Sequence, residues 1–171
     1  NKKNVLVEKP ALTSLDEFQI IKKIAKKNKN FVMEAFMYQF HNQFLKVKKT
    51  LQEGSLGEIK SVEINFGFPH LDPSNFRYSK ELKGGATLDA GAYTVSACMN
   101  LFGHNFLDLN SQIYHEPKFE VDIGGFATFI YKKFKVICNW NFGASYRNEI
   151  IIWGSEGKLV AEKFFSKPKN L

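Results

Sequence analysis

Apolar positions at the start of the chain first indicate a short strand and then a helical period. Val5 to Val7 predicts a buried strand that Pro10 ends, because proline offers no N–H to a neighbouring strand. Ser14 and Glu17 have the spacing of a capping box, which predicts the start of a helix. An apolar stripe with lysines opposite then follows at Leu15, Phe18, Ile21, Ile24 and Ala25.

The middle of the chain alternates between strand and helix signals. From Phe31 to Tyr38 the residues are mostly apolar and predict a strand, and a helix is predicted from about Asn42 to Glu53. Ile59 to Phe68 alternates apolar and polar residues, which indicates a strand with one buried face and with Ser61, Glu63 and Asn65 on the other. After a polar loop, a third helix is predicted from about Thr87 to Phe102, ending at Gly103.

Beyond this helix the apolar period becomes two, which predicts a run of strands joined by short turns. Strands joined by short turns are antiparallel. We therefore predict an α+β fold: a mostly antiparallel open sheet of five or six strands, with two or three helices on one face. The strand order stays open. The predicted strands are Asp108–Tyr114, Ile123–Tyr131, Lys135–Phe142, Asn148–Trp153 and Lys158–Glu162.

The net charge of +7 raises the question of a nucleic-acid partner. All but two of the 24 basic residues are lysines, and the exceptions are Arg77 and Arg147. Arginine makes most bidentate contacts to bases and phosphates, and the lysine pairs sit on the polar faces of amphipathic elements. We expect solvated faces and no nucleic-acid partner, although a basic nucleic-acid module remains an alternative.

Cysteine and histidine spacing gives no sign of a metal site. Cys98 and Cys138 are far apart in sequence, no Cys/His pattern matches a zinc site, and the four histidines are scattered. No apolar run approaches 18 residues, so we expect no membrane contact. The expected setting is reducing and cytoplasmic. Trp140 and Trp153 fall on predicted strands, where sheet packing is expected.

A carboxylate and a phenol lie among very small residues in the stretch Gly84-Gly85-Ala86-Thr87-Leu88-Asp89-Ala90-Gly91-Ala92-Tyr93. On a helix, Asp89 and Tyr93 would share one face at i and i+4. The small residues would let a ligand or a neighbouring strand approach closely. Lys9 follows a strand, where open sheets place ligands, and a lysine, a carboxylate and a phenol can form a proton-transfer group. A solvated lysine and a structural Asp–Tyr pair are the alternative.

Five motifs in order carry a family resemblance: VLVEKP, MEAFMYQFHNQF, GSLGEIKSVE, GGATLDAGAY and IIIWGSEGKLV. Together they resemble the glucose–fructose oxidoreductase, inositol dehydrogenase and rhizopine-catabolism family (Gfo/Idh/MocA type) from about Val5 to Val160. The resemblance implies a two-domain oxidoreductase that uses NAD or NADP on a sugar, polyol or diol. It also implies an N-terminal Rossmann domain and a C-terminal α+β domain, whose open sheet often mediates dimerisation.

The resemblance also implies roles for particular residues. Lys9 matches the catalytic lysine, with Glu8 and Pro10 shaping the turn below the nicotinamide, so Glu8, Lys9 and Pro10 are the cofactor-binding candidates. Asp89 matches the acidic substrate-binding residue. Tyr93 matches the acid/base position, which is tyrosine in the glucose–fructose oxidoreductase and dihydrodiol dehydrogenase branches. Arg77 is expected either to contact the substrate or to anchor its loop.

Three departures from the family pattern affect these expectations. Gln39 and Asn42 replace an arginine and a proline, and Lys83 replaces the first of three glycines, which leaves the substrate open. No G-x-G-x-x-G occurs, so the pyrophosphate cradle is missing from these residues. We expect residues 1–12 to be the last strand and E-K-P turn of a truncated dinucleotide-binding domain, and 13–171 to be the substrate and dimerisation domain.

Two further expectations concern partners. The strand Lys135–Phe142 has no strongly polar face, so we expect a homo-oligomer, a dimer or tetramer, formed through the open sheet. The substrate would be a small molecule. A ligand-sensing or interaction module with the same fold, but without hydride transfer, remains an alternative. Retention of Lys9, Asp89 and Tyr93 together favours the enzyme.

Overall fold

The computed structural model describes residues 3–166, which form two compact units, one ending at Met37 and one beginning at Tyr38. The first unit contains β1 (Val5–Val7), α1 (Leu15–Asn28) and β2 (Val32–Glu34). The two strands pair in parallel, with Val5 opposite Val32. A parallel pair connected through a helix is the β-α-β arrangement found in dinucleotide-binding folds.

The capping box at the start of α1 is confirmed. The Ser14 hydroxyl accepts the Glu17 N–H, and the Glu17 carboxylate accepts the Ser14 N–H. The apolar stripe, in contrast, is not covered, since none of the α1 residues is buried. With two strands of three residues each, the described part of this unit has too little sheet to cover a helix of this length.

The second strand is shorter than the sequence predicts. It ends at Glu34, and a 3₁₀ turn (Met37–Phe40) replaces its predicted end. The reason is its partner: β1 ends at Val7, whose carbonyl accepts the last ladder bond, from the Ala35 N–H at 2.8 Å. Within the described part of the chain, no partner strand supports an extended backbone beyond that point.

The second unit contains a six-stranded sheet and two α-helices. The strand order is β4-β5-β6-β3-β7-β8, and only the β3–β6 pair is parallel. The predicted mostly antiparallel sheet is therefore confirmed. Its elements are α2 (Asn42–Glu53), β3 (Ile59–Phe68), α3 (Ala92–Phe102), β4 (Asp108–His115), β5 (Asp122–Ile130), β6 (Lys135–Phe142), β7 (Arg147–Gly154) and β8 (Lys158–Glu162).

The core of this unit lies where α3 packs on one face of the central strands. Burial of these apolar side chains is the main favourable contribution to its stability. The opposite, open face carries the alternate residues of the same strands. The buried set comprises Val62 and Ile64 of β3, Val136 and Cys138 of β6, Ile150 and Ile152 of β7, and Thr94, Ala97 and Cys98 of α3.

Two residues of the open face differ from the sequence prediction. Asn65, predicted on the polar face, is only 2% exposed, because its amide lies in a cross-strand row: Asn139 Nδ2 donates to Asn65 Oδ1 at 2.9 Å. Trp153, predicted to pack in the sheet, is 61% exposed, whereas Trp140 is buried as expected. Trp153 lies on β7, next to the edge strand β8.

Among residues 3–166, no helix is both long and apolar enough to cross a membrane.

A buried aromatic cluster joins the start of the second unit to its last described residues. The Tyr38 ring is fully buried and lies 5.2 Å from the rings of Phe44 and Phe165, centroid to centroid. The Tyr38 hydroxyl shares a 2.9 Å hydrogen bond with Ser96 Oγ. Desolvation raises the pKa of Tyr38 to about 12, so its side chain remains a neutral phenol at physiological pH.

This raised pKa predicts an alkaline loss of stability. The unfolded chain releases the Tyr38 proton near pH ~10, the ordinary tyrosine pKa, whereas the folded chain holds it to about pH 12. The stabilising contribution is therefore fully present below the Tyr38 pKa of the unfolded chain. It is lost as the pH rises through the Tyr38 pKa of the folded chain, and the free energy of unfolding then falls by on the order of 2 kcal/mol.

Urea unfolding at a series of pH values should show this decline, and Tyr38→Phe should make it shallower. Tyr114→Phe, which removes an exposed phenol from β4, is the control and should retain the wild-type slope. Equal slopes for wild type and Tyr38→Phe would contradict the assignment.

Candidate active site

Asp89 lies on a π turn (Thr87–Gly91) that leads directly into α3. The Ala92 N–H bonds to the Thr87 carbonyl, five residues back, which defines this wider turn. The predicted α-helix is therefore wrong in its first turn. From Ala92 to Phe102 it is confirmed, with Gly103 following as expected. π turns inside helices are frequent at functional sites.

The carboxylate of Asp89 is paired with Arg77. Arg77 Nε donates to Asp89 Oδ2 at 2.6 Å, and the two side chains are 29% and 13% exposed. Asn75 Oδ1 accepts the Arg77 N–H at 3.1 Å, and the guanidinium lies 4.7 Å from the Phe76 ring centroid. The structure thus gives Arg77 an anchoring contact with Asp89. A substrate contact by Arg77 stays a prediction.

Three glycines around Asp89 are required by neighbouring protein atoms. A Cβ at Gly84 would overlap the Arg77 carbonyl, and one at Gly85, where φ is +117°, would overlap the Asp122 carboxylate. At Gly91 a Cβ would lie 2.9 Å from the Trp140 ring. Of the two explanations offered by the sequence, close approach of other parts of the protein accounts for all three glycines.

The Tyr93 ring lies in the aromatic cluster on the helix side of the sheet. Its centroid is 6.0 Å from that of Tyr38, 5.5 Å from Phe66 and 5.4 Å from Phe165, and the residue is 8% exposed. Phe165 is held in place by Asn148, whose Oδ1 accepts the Phe165 N–H at 2.8 Å. The position of the Tyr93 ring is thus defined by aromatic contacts from three separate segments of the second unit.

Sequence reasoning missed the residues that fix the start of the π turn. The Thr87 N–H and the Thr87 hydroxyl both donate to Asp122 Oδ2, each at 2.7 Å. No local pattern signals Asp122, an isolated acidic residue at the start of β5, because its partner is 35 positions away in the chain. Tyr38 and Asn148 were missed for the same reason.

Glu8, Lys9 and Pro10 lie in the first unit, immediately after β1. Both strands of the parallel pair end at this edge of their sheet, and the Lys9–Pro10 peptide is cis. The Ala11 N–H donates to Glu34 Oε1 at 2.9 Å, which links the turn to the end of β2. Action of Lys9 together with Asp89 and Tyr93 stays a prediction.

Among residues 3–166, no group of three His, Cys, Asp or Glu side chains could hold a metal ion.

Comparison with known protein families identifies the family of this chain. Residues 44–160 match the family described as GFO/IDH/MocA C-terminal domain. The second unit, with its open sheet and with α3 packed on one face, is thus the kind of domain found in this group of oxidoreductases. The chain belongs to the GFO/IDH/MocA family, and the resemblance seen in the sequence is confirmed.

Curated relatives include a sugar-nucleotide reductase and a diol dehydrogenase. The dTDP-3,4-didehydro-2,6-dideoxy-alpha-D-glucose 3-reductase of Actinomadura kijaniata is 31% identical over 168 residues, which is 97% of this chain and 50% of the relative. The trans-1,2-dihydrobenzene-1,2-diol dehydrogenase of Danio rerio is 29% identical, covering 99% of this chain and 51% of the relative. The chain therefore spans about half the length of the curated relatives it matches.

Solved structures of a 3-ketoreductase, KijD10 from Actinomadura kijaniata, have the same fold. A tyrosine-to-phenylalanine variant in complex with TDP-benzene and NADP is 29% identical, with a TM-score of 0.86. The similarity covers 96% of this chain and 51% of that chain. A lysine-to-alanine variant with the same ligands also matches, with a TM-score of 0.80 and 28% identity.

The contact between Gly85 and Asp122 can be tested by stability. Gly85→Ala adds a methyl group that overlaps the Asp122 carboxylate in a backbone conformation that L residues rarely adopt. Gly54→Ala is the control for a positive φ without a packing contact. Its φ of +68° is adopted by L residues more readily than the +117° of Gly85, and no atom lies within 4 Å of the added carbon.

Urea unfolding should show a loss of about 1 kcal/mol for Gly54→Ala, from backbone strain alone, and a loss of about 2–4 kcal/mol for Gly85→Ala. If both variants lose the same stability, the close packing of Gly85 on Asp122 would be refuted.

Proposed function

We propose that the full-length protein containing this chain is an NAD(P)-dependent oxidoreductase. It would transfer a hydride between a nicotinamide and a hydroxyl or carbonyl carbon of a sugar, a sugar nucleotide or a related diol. The matched relatives act on a dTDP-sugar and on a dihydrodiol, which supports this substrate class. In this proposal, residues 1–12 belong to the dinucleotide-binding domain and residues 13–171 to the substrate domain.

The observation that carries the proposal is the spacing of Lys9 and Tyr93. Their separation in the chain equals that of the lysine and the tyrosine replaced in the variant structures of the 3-ketoreductase. That similarity extends over 96% of this chain. A lysine and a tyrosine chosen for replacement in an NADP complex are natural candidates for the reacting groups, and the same residue types recur here at the same spacing.

The residues of the first unit fit a nicotinamide cofactor. Glu8, Lys9 and Pro10 follow the carboxyl end of a parallel strand, and ligands of open parallel sheets bind at that edge. When bound, the cofactor supplies or accepts the hydride. The three residues would border the nicotinamide end of the cofactor, as the family resemblance implies.

Within the reaction, each proposed residue has a distinct task. The Tyr93 phenol would exchange the proton of the reacting oxygen, and the Lys9 ammonium would contact that hydroxyl and favour the charged form of the phenol. Asp89 would accept hydrogen bonds from neighbouring substrate hydroxyls, while Arg77 holds its carboxylate in position. Tyr38 is unsuited to the proton-transfer role because burial raises its pKa to about 12.

Kinetics of the full-length protein test this assignment. The assays would pair NADPH with dTDP-3,4-didehydro-2,6-dideoxy-α-D-glucose, and NADP⁺ with trans-1,2-dihydrobenzene-1,2-diol. Tyr93→Phe removes one oxygen atom, so fold and cofactor affinity should survive, whereas kcat should fall by about two to four orders of magnitude. Lys9→Ala should lower kcat at least comparably.

Tyr38→Phe is the matched control, because it removes a neighbouring buried phenol that has no proposed proton-transfer role. Its kcat should remain within about tenfold of wild type, well above the loss expected for a general acid–base group. Near-normal turnover by Tyr93→Phe would contradict the assignment. Saturable binding of the dTDP-sugar or the diol without any turnover by wild type would instead support a ligand-sensing module.

Self-association through the open face is a second part of the proposal. Trp153 of β7 and Val160 of β8 are exposed on the same face of the sheet. Val160 lies opposite Ile151, and Trp153 lies opposite Lys158. An exposed apolar patch of this kind favours burial against a second copy.

Equilibrium sedimentation of the full-length protein should show a dimer or tetramer that Trp153→Glu weakens. Leu82→Glu, at an exposed loop position, is the control. A strictly monomeric wild type at high concentration would refute the proposal.

A further inference from the structure

The π turn that carries Asp89 is fixed at its start by a carboxylate from the sheet. Asp122 Oδ2 accepts two hydrogen bonds from one residue, the Thr87 N–H and the Thr87 hydroxyl, both at 2.7 Å. Hydrogen bonds to an ionised acceptor are shorter than neutral ones and roughly twice as strong. Asp122 therefore holds both the backbone and the side chain of the first residue of the turn.

A second contact fixes the direction of the Thr87 hydroxyl. Trp140 Nε1 donates to Thr87 Oγ1 at 3.1 Å. A threonine hydroxyl has one proton to donate, and here it points to Asp122, so a lone pair faces the indole N–H. Every hydrogen bond in the series Trp140–Thr87–Asp122 therefore has a defined donor and acceptor.

Packing leaves this network little freedom to shift. The indole of Trp140 lies against Gly91 at the end of the turn and against Gly125 of β5, where added Cβ atoms would be 2.9 Å and 2.8 Å from its ring. Trp140 itself is 4% exposed. The turn is therefore held at its first residue by hydrogen bonds and at its last residue by close contact with the same tryptophan.

Asp89 is thereby held from two sides. It comes two residues after Thr87 in the turn, and its carboxylate is bound by Arg77 from the preceding loop at 2.6 Å. Displacement of Thr87 would move the Asp89 backbone away from Arg77 and change the starting point of α3, which carries Tyr93. A misplacement of about 1 Å in a site of this kind can cost roughly a hundredfold in rate.

We propose that Asp122, acting through Thr87 and Trp140, is a positioning residue for the reaction. The network sets the register of the π turn and so places Asp89 and Tyr93 for the substrate. This inference rests on the proposed function, because it assigns the network a role in that same site.

The test compares two replacements of Thr87 in the full-length protein, assayed with the dTDP-sugar and the dihydrodiol named above. Thr87→Val replaces the hydroxyl by a methyl group and leaves the backbone bond to Asp122 possible. Thr87→Ser keeps the hydroxyl and both of its hydrogen bonds. Thr87→Val should lower kcat by about tenfold to a hundredfold with an unchanged Kd for NADPH, and Thr87→Ser should stay near wild type.

Asp122→Asn provides an independent variant, since it removes the charge but keeps the size of the side chain. It should lower kcat by a similar factor. Glu120→Gln removes an exposed carboxylate two positions away and is the matched control, with wild-type kinetics expected. Wild-type kcat in both Thr87→Val and Asp122→Asn would overturn the proposal, and so would an equal loss in Thr87→Ser and Thr87→Val.

A fluorescence measurement tests the hydrogen-bond network independently of the proposed function. In the full-length protein, the emission of Trp140 is obtained as the difference between each variant and the same variant carrying Trp140→Phe, and it reports on the hydrogen bond to Thr87. Thr87→Val should shift that emission and Thr87→Ser should not. If wild type shows no nicotinamide-dependent turnover, the proposed function fails, and the emission comparison still decides the network: identical spectra for both variants would overturn it.

Discussion

The close approach of the π turn to the sheet is the constraint on which the second unit depends. It brings the backbone at Gly91 against the indole of Trp140, at a distance that leaves no room for a side chain. Because α3 continues directly from this turn, its position over β3 and β6 follows from the same contact. The buried residues of α3 and the anchoring of Asp89 by Arg77 both depend on how closely the turn lies on the sheet.

Features with a local cause were predictable from the sequence. The alternation from Ile59 to Phe68 gave the bounds of β3, and the capping box gave the start of α1. All five strands predicted after α3 differ by no more than one residue from the observed bounds at each end. In each case the residues that form the sequence pattern lie within one turn or one strand of the element that the pattern predicts.

Features with a distant cause were not predictable. The strand order depends on the insertion of β3 between β6 and β7, which no local period encodes. The π turn requires Asp122, and the burial of Asn65 requires an amide on β6. For the candidate site, the glycine-rich stretch directed attention to Asp89 and Tyr93, but its small residues pack against protein. The family motifs, more than the spacing of residues, indicated which side chains to consider.

The parallel pairing of β3 with β6 also has a consequence for folding. Those two strands are the centre of the sheet, yet the chain between them contains the loop with Arg77, the π turn, α3 and two further strands. The central ladder is therefore a contact of large sequence separation, and loop-closure entropy opposes it until the intervening segment is compact. Assembly of the candidate site is thus a condition for closing the sheet, and slow, cooperative folding of this unit follows from its topology.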